Sequence, residues 1–381
     1  MDLEFNDEQN MLRDMVRGVC DQYATLATLR TLEDDPTGYS PELWAKLGEL
    51  GVLGLTLPEA YGGAGQSAIE GVVVYEEFGR SLAPSPHFVS CVASAGAILR
   101  AGSDEQKKAW LPKIASGEVI LTPAWLEPDR GYGPKGVALR AKADGGSLVL
   151  DGTKRHVQFA SSATRLLVLV RTGDAPDAID LVLVDPKAPG VTLTQQKTLG
   201  SDCQYQVTFS NVRVSTADRI GAAGSGWKTW SDTLLEGIIY LAAQAAGGAE
   251  RALEMTNHYA KIREQFGKPI GAFMAIAHYL ADCATLVSGG RTLVYEAAWA
   301  RATGRPIERL APMAKLFACQ MFRDVTAKAE QVHGGIGFTI EHDIQLFFRR
   351  AKHWQLSWWD TRYLEELVAS TVLDAPTPCI V

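Results

Sequence analysis

No stretch of this 381-residue chain is apolar for long enough to span a bilayer, which argues against a membrane-crossing helix. Its first residues, MDLEFNDEQNMLRDMV, are acidic and amphipathic. They lack the basic start and apolar centre of a signal peptide, so a cytoplasmic protein is expected. There is no excess of basic residues. A formal net charge of -7 is the wrong sign for a nucleic-acid binder, which normally carries a basic face. The six cysteines (Cys20, Cys91, Cys203, Cys283, Cys319 and Cys379) form no CxxC pair and have no histidine at metal-ligand spacing. Reduced, buried thiols and no metal centre are the expectation. The glycine-rich stretch GVLGLTLPEAYGGAGQ lacks the GK[ST] of a phosphate loop and a strand-to-helix setting, and reads as a structural turn.

What is present divides the chain into three parts, since 381 residues exceed one small core. Residues 1–118 read as helical. Phe5, Leu12, Met15 and Val16 share a helical face, and Pro41 opens a further helix at its first turn. Residues 119–222 change to short β-branched or alternating runs (SLVLDG, LLVLVRT, DLVLVDP, YQVTFSNVRV) punctuated by glycine, proline and aspartate. They predict an antiparallel β domain. Residues 223–381 return to helical periodicity, with a short tail.

The longest helix of this part has no proline from Leu234 to Ala260 and is apolar nearly all round between Ile238 and Ala249, as a buried helix should be. Gly247 and Gly248 within it predict close approach of another backbone. The small residues Gly237, Ala242, Ala243, Ala245 and Ala246 read as packing positions. Gly267 and Pro269 predict the helix stop, followed by helices over 272–303, 306–333 and from Thr361. The fold class is therefore α+β and multi-domain: an N-terminal helical domain, a central antiparallel β domain and a C-terminal four-helix bundle.

This order of domains, with LGELGVLGLTLPEAYGGAG, Leu126–Gly131 (LEPDRG), Arg263-Glu264-Gln265-Phe266-Gly267 and Gln331-Val332-His333-Gly334-Gly335-Ile336-Gly337, resembles the acyl-CoA dehydrogenase family over essentially the whole chain. QVHGGIGFTIEHD followed by FFRRAK resembles bacterial members of heteromeric type, including those acting on steroid-side-chain or dicarboxylic thioesters. The resemblance implies FAD-dependent α,β-dehydrogenation of an acyl-CoA thioester, in fatty acid or steroid catabolism. A carboxylate removes the α proton, and electrons pass on to an electron-transferring flavoprotein. It also implies a homo- or hetero-oligomer, dimer or tetramer, with FAD lying across a subunit interface. Arg263 would meet the pyrophosphate, with Phe266, Gln331, Gly334 and Gly335 against the remainder of the dinucleotide. Leu126, His156 and Gln158 would lie on the flavin side.

Departures from the family pattern bear on the chemistry. The usual base is the glutamate of a Tyr-Glu-Gly-Thr segment, and that position here is Trp358. A base carried on the long helix instead would fall at Gly237, one residue beyond Glu236. Glu236 opens an apolar stretch whose desolvation would suit a general base, and is the first candidate. Asp360 is the second, with helix capping as its competing role. The hydroxyls of the family's Thr-Glu-Pro-x-x-Gly-Ser are lost at Leu126 and Tyr132, and His156 stands where the family has tryptophan. Trp354, Trp358 and Trp359 would wall an acyl pocket. Two alternatives stay open: a weakly or non-catalytic partner subunit of a heteromeric dehydrogenase, and an oxygen-using flavin monooxygenase or oxidase on the same fold.

Overall fold

The computed structural model describes residues 4–374, so Cys379 lies outside the described residues. Helices α1 (Asp7–Tyr23), α2 (Leu26–Thr31), α3 (Pro41–Glu49) and α4 (Ala68–Ser81) come first, followed by a π-helical turn over Phe88–Ser94, α5 (Ala95–Ala101) and α6 (Asp104–Ala115). Polar capping sets several of their starts. Asn6 with Gln9, Ser67 with Glu70 and Ser103 with Gln106 each form a reciprocal capping box, satisfying donors that the first helical turn leaves open. The glycine-rich connection turns back on itself at Gly62 and Gly65, both in the left-handed region.

Strands β1 (Leu121–Ala124), β2 (Arg140–Asp144), β3 (Ser147–Gln158), β4 (Arg165–Arg171), β5 (Ile179–Val184), β6 (Val191–Gln196), β7 (Gln204–Ser215) and β8 (Arg219–Ile220) form one sheet in the order β6-β7-β3-β2-β4-β5-β8, with β1 added on β4. Most neighbours are antiparallel. The β2–β3 hairpin turns through Gly145 and Gly146, both at positive φ, as a two-residue loop demands. The expected all-antiparallel pairing needs one correction: β1 and β2 each pair with β4 in parallel. Neither is joined to β4 by a tight hairpin. β1 arrives from the helical segment, and β3 intervenes between β2 and β4.

The long helix α7 runs Gly226–Ile262, and the predicted stop at Gly267 comes five residues late. After it come a two-residue hairpin, β9 (Glu264–Gln265) with β10 (Lys268–Pro269), then α8 (Met274–Ala302), α9 (Leu310–His333), α10 (Ile344–Leu356) and α11 (Thr361–Leu373). No helix among the described residues is long and apolar enough to cross a membrane.

The chain forms two compact units. One gathers residues up to Leu29, Ser67–Ala83 and everything from Ile238; the other holds Arg30–Gln66 and Pro84–Gly237. In the first, α4 and α7 meet backbone to backbone. A Cβ on Gly247 would collide with the carbonyl of Glu76, and one on Gly79 with the carbonyl of Gln244. This is the close approach that the paired glycines of α7 predicted. Ala242, Ala243, Ala245 and Ala246 are fully buried, as packing positions should be. Beside this contact Glu76 is buried and held by Arg291 (3.1 Å) and the hydroxyl of Tyr295 (2.8 Å). In the second unit the sheet buries Leu166–Val170 and Leu181–Val184 almost completely, and the indole of Trp125 lies against that of Trp230 on α7.

Candidate active site

The segment after α7 is built to project. Phe266 (φ 54°) and Gly267 (φ 78°) form the loop of the β9–β10 hairpin, both in the left-handed region of a type I′ turn. Glycine takes that conformation freely; phenylalanine pays ~1–2 kcal/mol for it. Little in the fold offsets that cost: Phe266 is 93% exposed, and its ring meets only that of Phe273, edge to face at 6.2 Å. The Ile270 N–H donates to the Arg263 carbonyl (2.8 Å) and closes the hairpin. The Arg263 side chain is exposed and hydrogen-bonds to no described residue.

At the end of α9 the chain turns at Gly334, whose φ of 66° and ψ of -143° suit glycine alone. A Cβ on Gly334 or Gly335 would meet nothing, so this backbone is open to approach. Gln331 is exposed one turn earlier. Beneath it the His333 ring stacks on Tyr259 (4.4 Å) and its Nδ1 donates to Ala329 (2.8 Å); burial holds its pKa below the usual imidazole value.

The turn between α10 and α11 contains two consecutive left-handed residues, Trp358 (φ 54°) and Trp359 (φ 73°). Trp359 is buried and Trp358 half-buried. A fully buried ammonium, Lys315 of α9, donates to the carbonyls of Ser357 and Trp359 (2.9 Å each). Asp360 starts α11 as its N-cap, accepting from the Tyr363 N–H at 2.9 Å. Its carboxylate is therefore committed to the capping role.

In the other unit Glu236 is not in the desolvated setting expected of it. It forms an ion pair with Arg100 of α5 at 2.8 Å, with each side chain about one-third exposed (31% and 34%). One helical step on, Gly237 faces the Phe88 ring, which a Cβ would meet at 3.2 Å. The space beside Gly237 is thus filled by an aromatic side chain of the π-helical turn.

Leu126 lies beside β3, its carbonyl accepting the Arg155 N–H (2.8 Å). The next residue, Glu127, is buried against the fully buried Lys154 (2.7 Å) and accepts from the N–H groups of Ala138 and Leu139 (2.9 Å each). Burial pulls the Lys154 ammonium down to about 8, with Glu127 acting against it. Two residues along, a bulge in β3 turns His156 into the left-handed region (φ 56°). Its Nδ1 lies 2.8 Å from Gln204 Oε1, and the Gln204 and Gln158 amides both donate to Asp202 Oδ2 (2.7 and 3.1 Å). Asp202 Oδ1 also accepts from the Thr198 hydroxyl at 2.6 Å. The structure thus brings His156 and Gln158 together around a carboxylate that sequence reasoning missed. Asp202 stands 46 positions from His156 in a loop; a polar Gln204 opening an otherwise apolar-facing strand was its one available signal.

Residues 6–118, 123–212 and 224–356 match, in turn, the acyl-CoA dehydrogenase N-terminal, middle and C-terminal domains. The chain belongs to the acyl-CoA dehydrogenase family. The probable acyl-CoA dehydrogenase YngJ of Bacillus subtilis (strain 168) is 34% identical over 363 residues, 92% of this chain and 94% of the relative. The ChsE4-ChsE5 complex from Mycobacterium tuberculosis matches with a TM-score of 0.89 at 29% identity, covering 99% of this chain and 100% of that one. Butyryl-CoA dehydrogenase from Megasphaera elsdenii matches with a TM-score of 0.91 at 26% identity, covering 97% and 99%.

Enzymes of the acyl-CoA dehydrogenase family are generally FAD-dependent, and the residues after α7 and α9 fit such a group. A free guanidinium suits a pyrophosphate, and the Gly334–Gly335 backbone admits a ligand that any side chain would obstruct. On the β-domain side the fit is poorer. Leu126 has no hydroxyl to offer, and Gln158 is already bonded to Asp202.

Proposed function

We propose that this chain takes part in FAD-dependent α,β-dehydrogenation of an acyl-CoA thioester, with electrons leaving to an electron-transferring flavoprotein, as one half of a heteromeric dehydrogenase. One mismatch carries the reading. Arg263, Phe266, Gly334 and Gly335 are exposed, and the Arg263 guanidinium hydrogen-bonds to no described residue, whereas every candidate proton acceptor is committed or lost. Trp358 has no basic group, Asp360 caps α11 and Glu236 is paired with Arg100.

FAD, when bound, supplies the hydride acceptor. In this reading Arg263 gives charge-assisted donors to its phosphates, Gln331 a side-chain amide, and Gly334–Gly335 close backbone approach. The exposed Phe266 ring covers apolar cofactor surface that water would otherwise wet. The α proton is then taken by a carboxylate of the other subunit. An autonomous enzyme would instead require Glu236 to leave its ion pair before acting as a base.

The test is flavin content. The chain is purified alone, and again after co-expression with a second acyl-CoA dehydrogenase family chain from the same organism. A colourless chain that gains about half a flavin per chain only with its partner supports the heteromeric reading. About one flavin per chain alone, bleached by an acyl-CoA, overturns it in favour of an autonomous dehydrogenase.

A further inference from the structure

The group around His156 has a property that follows from hydrogen-bond chemistry alone. A carboxylate only accepts, so the Gln204 amide nitrogen must be the atom facing Asp202 Oδ2 at 2.7 Å. That fixes the amide: its oxygen faces His156 Nδ1 at 2.8 Å, and an oxygen can only accept there. Nδ1 must therefore carry the ring proton. Gln204 is buried, so water cannot easily substitute for either bond, and Thr198 holds Asp202 from its other oxygen. The backbone is fixed as well, because the His156 N–H donates to Gln196 Oε1 at 3.1 Å. In the neutral ring Nε2 is then left with a lone pair, on an exposed side chain with no described partner at that atom.

We propose that Asp202, acting through Gln204, is a positioning residue that locks His156 as the Nδ1–H tautomer and presents Nε2 as a hydrogen-bond acceptor to an N–H group of a bound isoalloxazine. The ligand half rests on the flavin reading above; the tautomer half stands on this chain's own geometry. A free histidine favours the opposite tautomer, and an unanchored ring would offer a donor at Nε2. The relay converts the site from donor to acceptor without a charge.

The test begins with the chain labelled with ¹⁵N in its histidines, at a pH where the ring is neutral. The expected spectrum has His156 protonated at Nδ1. Gln204→Leu and Asp202→Asn should each shift the tautomer ratio toward Nε2–H by roughly fivefold to tenfold, the worth of one hydrogen bond. Dominant Nε2–H in the unaltered chain, or no change in either folded variant, overturns the relay.

The ligand half is read from carbethoxylation of His156, located by peptide mass, in the flavin-loaded assembly and in the assembly stripped of flavin. Protection by bound flavin of at least about tenfold over the stripped assembly, not reproduced by ADP, is expected and corresponds to burial of one hydrogen-bonded atom. Flavin bound with His156 still equally reactive overturns the isoalloxazine contact. An assembly that takes up no flavin overturns the functional reading and the isoalloxazine contact with it, while the tautomer result still decides the relay.

Discussion

The Lys315 ammonium lies 2.9 Å from the carbonyl oxygen of Trp359, and both side chains are buried. No carboxylate is hydrogen-bonded to this cation: its partners are backbone carbonyls of the turn that holds two left-handed tryptophans. Burial lowers its pKa, as expected for an amine held mainly by dipoles. Lys315 serves as a staple for a turn whose own backbone preferences oppose it.

Replacing Lys315 by methionine keeps most of the volume and removes the donors. The buried carbonyls are then left unsatisfied, at ~1–3 kcal/mol apiece, partly offset by no longer burying a cation. A net loss of ~2–4 kcal/mol in urea unfolding is expected, with altered tryptophan emission from Trp358 and Trp359. A variant as stable as the parent, with unchanged emission, would show that the turn holds itself.

Glu236 was the leading candidate base by sequence, and Glu236→Gln would then abolish turnover while leaving FAD in place. The Arg100 ion pair points the other way. In the assembly reconstituted with its partner subunit, Glu236→Gln should keep turnover within about twofold and flavin content unchanged, as for loss of one partly exposed ion pair. A loss of a thousandfold or more, on the order of removing a general base, would return Glu236 to the mechanism.

His87 gives a pH dependence with a definite sign. It is fully buried, its Nε2–H donating to the Val52 carbonyl (3.1 Å), and burial lowers its pKa from 6.5 to about 4. The unfolded chain therefore binds the proton first as pH falls. Stability from this group is complete above about pH 6.5, is lost progressively down to about 4, and changes no further below. The full loss is about 3 kcal/mol. His87→Asn keeps a donor but cannot titrate, so the stability difference between parent and variant should narrow by that amount between pH 7 and 4. A difference that is flat with pH would mean that His87 takes up its proton in the fold as readily as in the unfolded chain.

Much of the architecture was legible because it rests on periodicity and punctuation. The apolar run of α7, the β-branched strands and the helix start at Pro41 each declare themselves locally. The β1–β4 and β2–β4 parallel pairings did not, since strand partners depend on the path of the chain between them. Site chemistry was less readable for the same reason. Arg263 and Gly334–Gly335 stand out in linear motifs, but Arg100 is 136 positions from Glu236, and no pattern in either segment signals their pairing. Asp202 and Lys315 act through contacts made only once the chain has folded.

The paired glycines of α7 allow a final comparison. A Cβ on Gly247 would strike the backbone carbonyl of Glu76, and neither helix can withdraw without disturbing the buried Glu76–Arg291–Tyr295 group. Gly247→Ala should therefore cost at least the ~1–3 kcal/mol of ordinary overpacking, despite alanine's better helix propensity. Gly18 on α1 is the control: it is exposed, helical and has nothing within 4 Å of its Cβ position. Gly18→Ala should stabilise by ~0.5–1 kcal/mol. Opposite shifts in thermal midpoint would tie the cost at Gly247 to helix contact. If Gly247→Ala also raised the midpoint, α4 and α7 would have to be free to separate.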